Sequence, residues 1–182
     1  MKSVIFALGL LGSFFYSTNL NASETPLFND RPIVCMDISQ VSNQHSPNVL
    51  FHSLRDCLKK RDFWKAAKLN FAANLYGNYD ALRVDGEPEN IAFNKLRLKA
   101  VKDIPIHDYS TFQQTSEALL RDKKKKNDLC KLMTVIGKPD YHPNYIFKHA
   151  EQYTKLVPSI NSDKQDSRFW KKVLLNDGHC MQ

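Results

Sequence analysis

The sequence predicts an all-α protein, a compact bundle of about six helices. Three observations carry this. After residue 47, apolar residues recur at three- and four-residue spacing over most of the chain. Glycine and proline punctuate these runs at Gly77, at Asp85–Pro88, at Asp103–Pro105 and at Gly137–Pro139. No stretch alternates apolar and polar residues as a half-buried strand does.

The elements follow in order. Met1-Lys2-Ser3 leads into an apolar run from Val4 to Phe15. A bilayer needs about 20 helical residues, so this run is too short to span one. A charged start, a short apolar middle and a small residue at Ala22 read as a secretory signal peptide over residues 1–22. Cleavage after Ala22 starts the mature chain at Ser23; an uncleaved anchor is the competing reading. No cysteine stands at the cut to take a lipid. The expected location is the periplasm or the extracellular space, with no stable transmembrane segment after removal of the leader.

The chain that remains, 23–182, has the size of one ordinary domain. Residues 23–46 are rich in Ser, Asn, Pro and Asp and read as an extended N-terminal arm; 47–182 read as a single helical domain. Pro47 suits a first helical turn, and Val49, Leu50, Ser53, Leu54, Cys57 and Leu58 give a helix over 47–60. Asp62 caps the next. Its apolar residues form two stripes: Trp64, Ala67, Phe71 and Leu75, then Phe63, Ala66, Ala73 and Tyr76. A helix apolar on two faces lies centrally. Gly77-Asn78 reads as its end and residues 79–84 as a short helical piece. After Pro88, a helix with a stripe of Ile91, Phe93, Leu96, Leu98 and Val101 is expected, then a connector at 103–110. Residues 111–136 read as one long helix, or as two with Asn127 or Asp128 capping the second. Helices at 143–156 and 166–175 complete the set.

Cys57 to Val84 resembles a tetratricopeptide-type helical repeat. Arg61-Asp62-Phe63 stands where that family has a Gly-Asp-Tyr turn, followed by Ala66, Phe71 and Ala73. Gly77-Asn78-Tyr79-Asp80-Ala81 echoes the turn, but far sooner than the family period of about 34 residues would place it. The resemblance implies one helical hairpin of a kind used in binding scaffolds.

Four cysteines, Cys35, Cys57, Cys130 and Cys180, follow the leader, and an even count in an exported chain implies two disulfides. Cys35–Cys57 with Cys130–Cys180 would anchor the arm and the tail, the two segments poorest in apolar residues. That pairing is the one expected; Cys35–Cys180 with Cys57–Cys130, which would join the termini and link the first helix to the middle one, is the competing choice.

Chemical sites are sparse. His45 and His52 are seven apart in the chain, as are His142 and His149. That spacing rises about 10.5 Å along a helix, too far for two ligands of one ion. Cys35-Met36 with His179-Cys180-Met181 offers soft copper ligands, but disulfides would consume the sulfurs. Asp85, Glu87 and Glu89 fit helix capping better than acid–base work. No metal and no cofactor is expected. The whole chain carries 26 Lys and Arg against 19 Asp and Glu, and the leader removes a single lysine, so the mature protein stays basic. Lys123, Lys124, Lys125 and Lys126 are the sharpest charge feature and the expected contact for an acidic partner. Aromatics lie in packing stripes rather than among arginines, so nucleic acid is not expected.

These readings favour a non-catalytic exported protein that binds another protein in the envelope, as an inhibitor, immunity protein or assembly factor does. The alternative is a small hydrolase whose site gathers His107, His142 or His149 with distant carboxylates.

Overall fold

The computed structural model describes residues 34–85, 91–154, 158–164 and 167–180. The leader with its cleavage point, residues 23–33 of the arm, residues 86–90 with Glu87 and Glu89, and Met181 lie outside the described residues.

The fold is all-α. Seven α-helices occur among the described residues: α1 (Pro47–Lys59), α2 (Phe63–Arg83), α3 (Ile91–Val101), α4 (Ile106–Arg121), α5 (Lys123–Ile136), α6 (Asn144–His149) and α7 (Ser167–Asn176). A π-helical turn, Ala150–Thr154, continues α6. The strands β1 (Val84–Asp85) and β2 (Ser159–Ile160) form one antiparallel pair, with Val84 opposite Ile160.

Helix α2 is the axis of the bundle. Ala66, Leu69, Ala72, Ala73, Tyr76 and Tyr79 are fully buried on several of its faces, and α1, α4 and α7 pack around it. Asp62 caps it, accepting a hydrogen bond from the Lys65 N–H at 3.1 Å. Before that cap, Arg61 takes φ +57°, a backbone shape that glycine adopts at least cost.

Three expected boundaries move, and one expected face. Helix α2 does not end at Gly77; it runs on to Arg83 and absorbs the short piece over 79–84. Gly77 is there for space, because a Cβ would sit 2.2 Å from Cε2 of Phe93. The connector at 103–110 is largely helix, since α4 starts at Ile106. The long helix divides at Asp122, ahead of the lysine run rather than at Asn127 or Asp128. The Asp122 carboxylate accepts from the Lys125 N–H at 3.0 Å and starts α5. On α3 the buried face is Ala92, Phe93 and Ala100, while Ile91 and Leu98 are exposed. From Phe93 to Leu98 the helix turns by about 140°, so the two cannot share a face.

Both disulfides are present, Cys35–Cys57 and Cys130–Cys180, and no described cysteine is free. The first belongs to a clamp on α1. The Cys35 N–H donates to Asp56 Oδ2 at 2.6 Å and the Met36 N–H to Ser53 Oγ at 2.9 Å. Ser53, wholly buried, donates in turn to the Val34 carbonyl. Ile38 and Val41, beyond the clamp, enter the main core. At the other end, the Cys180 N–H bonds to the Leu174 carbonyl at 2.9 Å, folding the tail back onto α7.

Candidate functional site: a groove between α5 and α7

Two helical rows face one groove. On α5 they are Asn127, Cys130, Lys131, Thr134 and Val135; on α7, Ser167, Trp170, Lys171, Leu174 and Leu175. Each row follows the spacing i, i+3, i+4, i+7, i+8, which is one face of a helix over about two turns. The groove has a volume of about 940 Å³, near the top of the roughly 300–1,000 Å³ usual for ligand sites. Its floor holds Trp170 and the Cys130–Cys180 disulfide, all buried. Val135 on its wall is 84 % exposed, although valine is ordinarily a core residue.

Among the described residues Lys131 and Lys171 are the charged groups that line the groove, and no described carboxylate does. The indole N–H of Trp170 is buried without a hydrogen-bond partner. The Trp170 ring is held from beneath by Tyr76 and Tyr79, with centroids 5.5 and 5.9 Å away. The floor is therefore rigid while the rim is made of long, charged side chains.

The lysine run divides among three surroundings. Lys123 and Lys124 are exposed, and their spacing from Asn127 continues the α5 row by one turn. Lys125 sits over the Trp64 ring, 4.6 Å from its centroid, and pairs with Asp122 at 3.1 Å. Lys126 lines a different hollow, between α2 and α4. The run opens the helix that forms one wall of the groove, but only half of it extends the groove face. The groove itself is not foreseen in the sequence. Its signal is the matched i, i+4 pairs at Lys131/Val135 and Lys171/Leu175, where a lysine and an exposed apolar residue share a face.

The histidines do not converge on a hydrolytic site. His107 stands in the first turn of α4. His142 Nδ1 meets Asn144 Oδ1 at 2.8 Å, and its ring packs on Phe147. His149 is buried at the end of α6. His45 accepts from the Ser42 N–H through Nδ1, and burial lowers its pKa. His52, on α1, is also lowered, first by burial and then by Lys99 and Arg55. Asp85 accepts from the Asn161 amide at 2.8 Å. Among the described residues no three His, Cys, Asp or Glu side chains are placed to hold a metal ion.

One buried ionic cluster does exist, and it is structural. Asp80 is fully buried on α2. Its Oδ1 accepts from Arg83 Nε at 2.8 Å; its Oδ2 accepts from the hydroxyls of Tyr141 at 2.8 Å and Tyr145 at 3.0 Å. Arg83 also donates to the Tyr141 carbonyl and lies over the Tyr79 and Tyr141 rings. Burial pushes the Asp80 carboxyl up to about 6, against the pull of Arg83 and the two hydroxyls. With every partner supplied from within, the cluster presents nothing to a substrate; it ties the Tyr141–Tyr145 segment to α2.

No helix among the described residues is long and apolar enough to cross a membrane. No protein-family model matches the chain, and comparison with curated proteins and with solved structures returned no match.

Proposed function

We propose that the chain is an exported, non-catalytic binding protein of the cell envelope. It would take an acidic amphipathic segment of another protein into the α5–α7 groove. The observation that carries this is a groove with a buried aromatic floor, an exposed apolar wall and, among its described residues, two lysines and no carboxylate. Buried Trp anchors inside a charged rim are the usual layout of protein interfaces. The two rows run about two helical turns, so they match a short helix rather than a small metabolite. An acidic face on that helix would meet Lys131 and Lys171, and its apolar face would cover Val135 and Leu175. Pairing of all four described cysteines supports the export reading, since oxidising compartments maintain disulfides.

The test uses two single variants of the full chain, Val135→Asp and Lys171→Glu. Both positions are on the surface of the groove, so folding should be unaffected. A partner captured by the parent protein should be lost by both variants, and its contact segment should be acidic and amphipathic. Undiminished capture by Val135→Asp would remove the groove from the function.

A further inference from the structure

A second hollow lies between α2 and α4, and its chemistry differs from that of the groove. Asn70, Asn74 and Asn78 stand at successive i, i+4 positions of α2 and line it together. Ser116 of α4 faces them, and its hydroxyl is buried without a hydrogen-bond partner. The Asn74 amide donates to the Asn70 carbonyl at 2.7 Å, which fixes its orientation. Phe71 and Leu120 supply apolar wall between these polar groups. The hollow holds about 350 Å³, and Asn70 and Ser116 also line a second hollow of about 450 Å³, where Tyr109 and Gln113 stand.

We propose that this paired hollow between α2 and α4 is a binding site for a neutral oligosaccharide. A carboxamide offers two donors and an acceptor, and a sugar hydroxyl both donates and accepts, so a row of asparagines suits a row of hydroxyls. The apolar wall suits the C–H faces of sugar rings, and Tyr109 offers an aromatic face for one of them. A purely apolar ligand would leave the Ser116 hydroxyl unpaired, which buried polar groups resist. A strongly charged ligand has no counterpart either. Lys126 and Asp177 both line the first hollow, Arg97 and Glu117 the second, so each is balanced. The two hollows adjoin at Asn70 and Ser116, and their volumes together exceed what one sugar ring fills. This inference stands on its own and does not depend on the α5–α7 groove.

The experiment is a titration of the isotope-labelled full chain, followed through its side-chain amide signals. The probes are the tetramer of β-1,4-linked N-acetylglucosamine, the corresponding glucose tetramer, and a tetra-aspartate peptide as control. At least one sugar should move the side-chain signals of Asn70, Asn74 and Asn78 saturably at millimolar concentration, and the peptide should not. Asn78→Ala and Ser116→Ala should each weaken that binding about tenfold, as loss of one hydrogen-bonding side chain does. Their melting curves should overlay the parent's, which separates lost contact from lost fold. No saturable change with either sugar would overturn the proposal. So would binding that both variants leave intact, or shifts confined to the side-chain amide of Asn127 in the α5–α7 groove.

Discussion

Gly77 and Phe93 interlock: the Phe93 ring occupies the space in which any side chain at 77 would stand, within 2.2 Å of a Cβ. That contact lets α3 approach the middle of α2, and the Phe93 ring is itself packed on Phe51 of α1 at 5.4 Å. Gly77→Ala sets two effects against each other. Alanine is the better helix former by about 1 kcal/mol. Overpacking a filled core costs about 1–3 kcal/mol, and here the obstacle is a buried ring held on its far side. We expect net destabilisation of up to about 2 kcal/mol in a urea melt. Increased stability would mean that the α3 contact is loose.

Asp80 should make stability depend on pH in a defined direction. Its folded value of about 6 lies above the ordinary 3.8. The folded state therefore holds the proton more tightly, and this contribution is fully present below 3.8 and is lost as pH rises through about 6. The difference amounts to at most about 3 kcal/mol. His45 and His52, whose values burial lowers, act in the opposite sense as pH falls below 6.5. Comparison with Asp80→Asn cancels them. The stability of the parent relative to that variant should rise as pH falls from about 7 to about 4. A flat difference would contradict the burial argument.

Removing the Cys130–Cys180 bridge by a double change to Ser should cost about 4 kcal/mol, against about 3 kcal/mol for Cys35–Cys57, because its loop is longer. The sequence separations are 50 and 22. The first loss should also reach function, because both sulfurs line the α5–α7 groove. Denaturant melts and partner binding measured on the two double variants separate the effects; equal loss of binding in both would argue against a role for the groove floor.

The lysine run should separate by position. Lys123→Gln with Lys124→Gln should weaken binding of an acidic partner, and most strongly at low salt, where charges are screened least. Lys125→Gln should leave binding unchanged, because that ammonium is engaged with Trp64 and Asp122. Titrations at two salt concentrations read this directly. Equal loss for both variants would show that the run acts as a single patch.

Helix content was legible in the sequence because the apolar residues of α1 and α2 are dense and strongly periodic. Boundaries were less so. Gly77 carries the usual signal of a helix end, yet its role depends on Phe93, which stands on another helix beyond the Asp85–Pro88 break. Asp122 escapes notice as a cap because the helical pattern runs across it. The disulfide pairing expected from the sequence, chosen because it anchors the arm and the tail, is the one formed, with Cys35 held beside α1 by Asp56. The groove was hidden for a different reason. Its two walls lie on helices separated in sequence by the whole of α6 and β2. Each wall alone resembles an ordinary amphipathic helix whose polar face includes one apolar residue.

The order in which the cysteines pair bears on how the chain matures. Each cysteine is joined to its neighbour among the four, 35 to 57 and 130 to 180. A chain delivered to an oxidant from its N-terminus presents Cys57 while Cys130 is still to come, so the first pair that can form is the final one. The same holds for the second pair, since the earlier two sulfurs are already committed. Such a chain need pass through no wrong bridge, so it should depend on an isomerase less than a denatured and reduced full-length chain, which has all four thiols available at once.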